Sequence, residues 1–134
     1  MSKGQVVYVP AYSQIYVGDK PLEFNLAVTL CIRNTDMSRD IRILSIEYRD
    51  SKGKLIRTYL KDPLKIGPLA SADFFVKESD VAGGVNAHFL VQWEAGQEVN
   101  EPIIETIMIG ARSGQGISFI GRGKVIGPSK PLKP

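Results

Sequence analysis

Little in this 134-residue chain is equipped for covalent chemistry. It holds one histidine, His88, and one cysteine, Cys31. A single cysteine excludes an internal disulfide and a thiolate metal cluster, and a lone histidine has no companions at metal-ligand spacing. No G-x-S-x-G, H-E-x-x-H or C-x-x-C pattern occurs. No apolar run approaches the roughly 20 residues of a membrane span, so the chain reads as soluble. Met1-Ser2-Lys3-Gly4 leads straight into a strand pattern and no signal peptide is read there, although a mature fragment given a new Met would look the same. A sustained three–four apolar period is also missing, so little helix is expected.

Acidic residues stop at Glu105, while Arg112, Arg122, Lys124, Lys130 and Lys133 all follow it. With a formal net charge of +3 for the whole chain, the basic excess lies in the last stretch. Just before it, Glu94, Glu98, Glu101 and Glu105 occur with no basic residue between them. An acidic block beside a basic one suits a surface that meets its complement on another subunit or partner. Scattered solvated charges would produce the same string.

What is present is β pattern. Gln5–Val9 is a β-rich run halted by Pro10, as suits a first or edge strand. Leu22–Arg33 reads as one long strand, with Leu22, Phe24, Leu26, Val28, Leu30 and Ile32 on one face at period two. Cys31 lies within this run and reads as a buried, inert thiol. Ile41–Arg49 and Lys54–Leu60 flank Asp50-Ser51-Lys52-Gly53, a hairpin signal. Pro63, Gly67 and Pro68 mark a corner where the chain changes sheets. Ala72–Lys77 and Asn86–Glu94 are further strands, separated by a flexible Val81–Val85 loop, and a polar loop over Gly96–Pro102 follows. Two apolar runs, Ile103–Ile109 and Ile117–Ile126, close the domain. About eight to nine short strands at this spacing predict an all-β antiparallel sandwich, immunoglobulin-like or related, over residues 1–127. The Pro/Lys segment 128–134 reads as a flexible tail.

The glycines of Gly110–Gly116 and Gly121–Lys124 invite a phosphate-loop reading. A phosphate cradle needs a following helix whose amides point at the anion, and here the glycines punctuate strands. They read as turns and bends, and neither a cofactor nor a metal is expected. Recognition on a rigid sheet concentrates in its loops. The candidate ligand or interface residues are therefore those at the two ends of the last strands: Asn100, Glu101, Glu105, Arg112, Gln115 and Arg122. Each has a structural reading too, with Asn100 and Gln115 as turn or backbone partners and the charged residues as cross-strand pairs.

Several segments resemble an uncharacterised bacterial family, a domain of unknown function usually exported or lipid-anchored. They are Val7–Ser13, Phe24–Asp36, Gly67–Ser71, Glu78–Asp80, Asn100–Gly110 and Gln115–Phe119, and they span nearly the whole chain. The resemblance implies a periplasmic or cell-surface setting and implies no activity. A fainter likeness, in the order of an early P-A-Y, a strand ending C-I-R-N, a strand carrying Tyr48, a corner at Pro68 and a late P-I-I strand, is to the sensory-rhodopsin transducer proteins. It implies a sandwich that assembles as an oligomer.

The reading is therefore a non-enzymatic binding or assembly module of the bacterial envelope, a homo-oligomer or the partner of another protein. Two alternatives stay open. One is a small-ligand or catalytic pocket near His88, Trp93 and Glu94. The other is nucleic-acid binding through the basic C-terminal strands, with Tyr8, Tyr12, Tyr16 or Tyr48 as exposed stacking aromatics.

Overall fold

The computed structural model describes residues 1–17, 22–78, 80–112 and 115–129. Among them are twelve strands and no helix. In chain order they are β1 (Ser2–Ala11), β2 (Gln14–Val17), β3 (Leu22–Asn25), β4 (Ala27–Arg33), β5 (Ile41–Arg49) and β6 (Leu55–Thr58). Then come β7 (Leu64–Ile66), β8 (Ser71–Val76), β9 (Ala87–Val99), β10 (Ile103–Arg112), β11 (Gln115–Arg122) and β12 (Lys124–Pro128). The larger sheet runs β12-β1-β9-β5-β6, with β7 also pairing β5; the smaller runs β11-β10-β4-β8. β2 and β3 form a separate two-stranded ribbon. Every pairing is antiparallel. The architecture is an all-β sandwich, and its strand number exceeds the eight or nine expected because two long runs are each cut in two and the short strands β2 and β7 are added.

The first cut is at Leu26, where Leu22–Arg33 divides into β3 and β4. The Leu26 amide leaves the ladder and donates to Ser13 O at 2.8 Å. The period-two burial survives the break, since Phe24, Leu26, Val28, Leu30 and Ile32 all face the core. The second cut is at Gly123, between β11 in the small sheet and β12 in the large one. There the chain crosses the sandwich, and the Gly123 amide donates to Ile104 O at 2.9 Å. A Cβ on Gly123 would stand 2.7 Å from both Ile104 O and Val7 Cγ1, so the crossing requires glycine.

Other boundaries also moved. β1 continues through Pro10 and is an interior strand between β12 and β9. Pro10 lies beyond Tyr8, the last β1 residue paired with β12, where an N–H on that side has no ladder partner to lose. β9 runs on to Val99, through half of the expected loop, because a register shift between Ser2 and Gly4 lets β1 follow it. The Asp50–Gly53 turn is as expected: Gly53 has φ 81°, and Asp50 Oδ1 accepts from the Lys52 and Lys54 amides at 2.9 Å each. The Pro68 corner does change sheets, from β7 to β8, with Leu69 at φ 57°. The loop before β9 is pinned, with Ser13 N–H donating to Gly84 O. Residues 18–21, where Gly18-Asp19 favours a turn, and most of the 128–134 tail lie outside the described residues.

The core fills the space between the sheets. Trp93, Tyr48 and Phe89 are its largest fully buried side chains, layered with Val9, Leu30, Ile43, Ile46 and Met108. A bulge in β5 between Ile43 and Ser45 leaves two consecutive residues, Ile43 and Leu44, buried. Tyr48 keeps its hydroxyl satisfied by a 2.5 Å hydrogen bond with Ser13 Oγ. Its phenol is pushed above its ordinary pKa by burial. Tyr48 is therefore no exposed stacking residue.

Candidate functional site

The candidate residues fall into three places. Asn100 and Glu101 belong to one end of the sandwich, in a braced junction with the 34–39 turn. Fully buried Asn34 organises that turn. Its Nδ2 donates to Arg39 O, Ile66 O and Gly67 O at 2.9–3.1 Å, and its Oδ1 accepts from the Asp36 amide at 2.9 Å. The Asp36 carboxylate then accepts from the amides of Ser38, Arg39 and Asn100, each at 3.0 Å. These amides, those of Ser38 and Asn100 foremost, hold its carboxyl below the usual carboxylate range. Asn100 Nδ2 donates to Thr35 O, Thr35 Oγ1 to Glu101 O, and Gln5 Nε2 to Glu101 Oε1 at 2.9 Å. Asn100 and Glu101 are thus committed to holding the junction.

Arg112 and Gln115 are register partners at the far end of the β10–β11 hairpin, whose 113–114 turn lies outside the described residues. From Glu105 to Arg112 the strand rises about 23 Å, so the two ends cannot share one ligand site. Lys130 and Lys133 also lie outside the described residues.

Glu105 and Arg122 face each other across β10 and β11, on the outer face of the small sheet. Glu105 also lies 3.9 Å from Arg33 Nε. With Ile103, Ile104 and Gly123 they line an open hollow of ≈ 420 Å³. Three of the four glutamates of the acidic block take separate partners: Glu94 pairs with Arg42 at 3.3 Å, Glu105 with Arg33, and Glu101 accepts from Gln5.

The outer face of the small sheet carries a signal that the loop-centred reading missed. Registers on β11, β10, β4 and β8 align Ile120, Ile107, Thr29 and Phe75 in one row across all four strands. The next row is Arg122, Glu105, Cys31 and Asp73. On either side of these rows, Ile109 pairs with Ala27 and Ile103 with Arg33. Phe75, Ile109, Ile120 and Ile103 are each about half exposed, at 56%, 55%, 55% and 49%. The outer face of the large sheet is more polar, carrying Arg42, Ser45, Glu47, Arg49, His88, Gln92 and Glu94 around Val6, Tyr8 and Leu90. An antiparallel sheet with one wet face alternates apolar and polar, as β9 does. β10 does not: Ile104 and Met108 point in, while Ile103, Ile107 and Ile109 point out. The run I-I-E-T-I-M-I was visible in the sequence, and its apolar residues at both parities mark a strand with two dry faces.

Cys31 lies in the middle of this face and is half-buried, more accessible than expected. Burial, with the Asp73 and Glu105 carboxylates adding to it against Arg33, pushes its thiol pKa up, so little thiolate is available.

The structure does not bring His88, Trp93 and Glu94 into one pocket. Trp93 points into the core, whereas His88 and Glu94 point outward about 20 Å apart on β9. His88 stacks on Tyr8, with centroids 4.4 Å apart and planes 19° off parallel. Burial, then the Arg49 charge, lowers its pKa, so the ring is neutral at pH 7. Glu94 instead lines a separate polar hollow of ≈ 470 Å³ with Asp40, Arg42, Lys65 and Gly96, whose charges are already paired with one another.

With an antiparallel sandwich and one apolar outer face established, comparison with known proteins places the chain. Residues 4–126 match the family model described as "Protein of unknown function (DUF3124)". The chain belongs to that family, as its segments led us to expect. The crystal structure of Thermotoga maritima 1070 is similar over 96% of this chain and 100% of that one, with a TM-score of 0.55 at 14% identity, a likeness of fold alone. No match was found among curated proteins. The likeness to sensory-rhodopsin transducers is not shown by these matches. No helix among the described residues is long and apolar enough to cross a membrane.

Proposed function

We propose that this protein is a non-enzymatic binding module whose working surface is the outer face of the β11-β10-β4-β8 sheet, which docks against protein. One observation supports the reading above the others: β10 presents isoleucines to both sides, and two of its outward ones, Ile103 and Ile109, stay about half exposed in the single chain. Contiguous apolar surface of this kind marks protein interaction sites. The charged groups on this face, Glu105 and Arg33 on its central strands and Arg122 and Asp73 on its outer ones, would set register rather than supply most of the affinity. The setting we propose, from the family resemblance, is the periplasm or cell surface.

Site-specific photo-crosslinking in cells tests the reading. A photoreactive residue replacing Ser118, on the apolar face, should yield a protein adduct; the same residue replacing Ser45, on the polar face, should not. No adduct from position 118, or equal adducts from both, would refute it. Nucleic-acid binding is the weaker reading, since Tyr48 is buried and Tyr12 packs on Phe119. Salt-dependent binding of a fluorescent single strand would revive it.

A further inference from the structure

We infer that the occupant of the apolar face is a second copy of this chain, docked face to face about a two-fold axis that runs parallel to the strands between β4 and β10. The inference rests on the binding reading above and names the partner.

The face is complementary to itself. A two-fold interface sets the same patch against itself, so residue i meets j and j meets i. An axis between the two central strands exchanges β10 with β4 and β11 with β8. In the row Arg122, Glu105, Cys31, Asp73, it places Arg122 of one copy over Asp73 of the other, twice. Within a single chain these two are three strands apart, about 14 Å, too far to meet. Neither joins an ion pair among the described residues. The adjacent row obeys the same operation, with Ile120 over Phe75 of the other copy and Ile107 over Thr29. The bulkiest exposed residues at the two edges therefore meet each other, small Thr29 and Ala27 leave room for Ile107 and Ile109 of β10, and Glu105 lies over Cys31. An axis laid across the strands instead would stack Ile120 on Ile120 and Phe75 on Phe75 and bring no opposite charges together. Charge and bulk select the first axis.

The size of the face sets the strength. Four strands at about 4.8 Å by about seven residues at about 3.3 Å give a flat footprint of roughly 400 Å² per copy. Counted over both copies that is roughly 800 Å² of flat area, which side-chain relief increases, and it places the contact among the weak, transient interfaces below about 1,200 Å². Such a dimer is reversible, with dissociation in the micromolar range.

Sedimentation velocity over a wide concentration range is the test, with wild type, Arg122→Asp, Asp73→Arg and the double swap. Wild type is expected to pass from monomer to dimer across the micromolar range. Each single swap should weaken association tenfold or more at low salt, and the double swap should recover most of it. Both positions are exposed strand residues, so thermal melts should be unchanged and keep folding out of the comparison. A wild type that stays monomeric at hundreds of micromolar overturns the inference, as does a dimer indifferent to both swaps. If such a monomer still gives a position-118 adduct to a different protein in cells, the binding reading stands and only the second copy falls. With no adduct either, both fall.

Discussion

The junction built on Asn34 gives a sharp quantitative prediction. Its amide nitrogen has two hydrogens for three carbonyls, so one hydrogen is shared, while its Oδ1 takes the Asp36 amide. Asn34→Ala strands these buried groups, and each unsatisfied one costs about 1–3 kcal/mol unless water reaches it. Because the turn borders solvent at Arg39 and Gly67, partial hydration should hold the total to about 2–4 kcal/mol. For a domain of this size that is a drop in Tm of roughly 6–15 °C. Asn34→Asp is nearly isosteric yet should be worse. It replaces the donor with an anion facing three carbonyl oxygens, at a cost of about 4 kcal/mol or more. That extra cost should shrink as the pH falls toward 5, because the protonated acid can donate once. Urea unfolding read by Trp93, the single and fully buried tryptophan, measures all three proteins. An Asn34→Asp variant as stable as wild type at pH 7, or more stable than Asn34→Ala, would refute the reasoning.

Two further perturbations test other parts of the structure. Gly123→Ala should cost about 1–3 kcal/mol in urea titrations, since its methyl has nowhere to go between Ile104 O and Val7; a neutral result would mean the sheet crossing is looser than described. The His88 pKa is lowered in the folded protein by burial and by Arg49, so the folded state resists protonation. The stabilising contribution of neutral His88 is therefore present above the unfolded value of about 6.5 and is lost as pH falls through that value and below it. Wild type should lose stability between pH 7 and 5, and His88→Gln should lose less over the same interval; parallel profiles would exclude His88 as the cause.

Much of the fold could be read from alternation alone. Phe24, Leu26, Val28, Leu30 and Ile32 are buried as their period requires, and Asp50–Gly53 makes the turn its residues favour. The misses have physical causes. A period-two pattern does not notice a strand that changes sheets, because inward residues stay inward when Leu26 or Gly123 redirects the backbone. Pro10 reads as a stop in the sequence, though a proline is tolerated beyond the last rung of a ladder. For the site, attention to loops selected Asn100 and Glu101, which the structure uses as braces. Residues on β8 such as Asp73 and Phe75 could not be joined to β10 until β4 was known to lie between them. Only the doubled apolar parity of Ile103–Ile109 was legible in advance, and it was read as strand rather than as surface.

The central claim is that the outer face of the small sheet is covered when the protein works, and Cys31 reports on that face directly. Its thiol lies half-buried between Glu105 and Asp73, and it is the sole cysteine. Labelling with a small membrane-permeant thiol reagent should be compared between cells and purified protein diluted well below the micromolar range. Labelling should be at least tenfold slower in cells, with Ile109→Lys returning it to the dilute rate. Equal rates in cells and in dilute solution would contradict it.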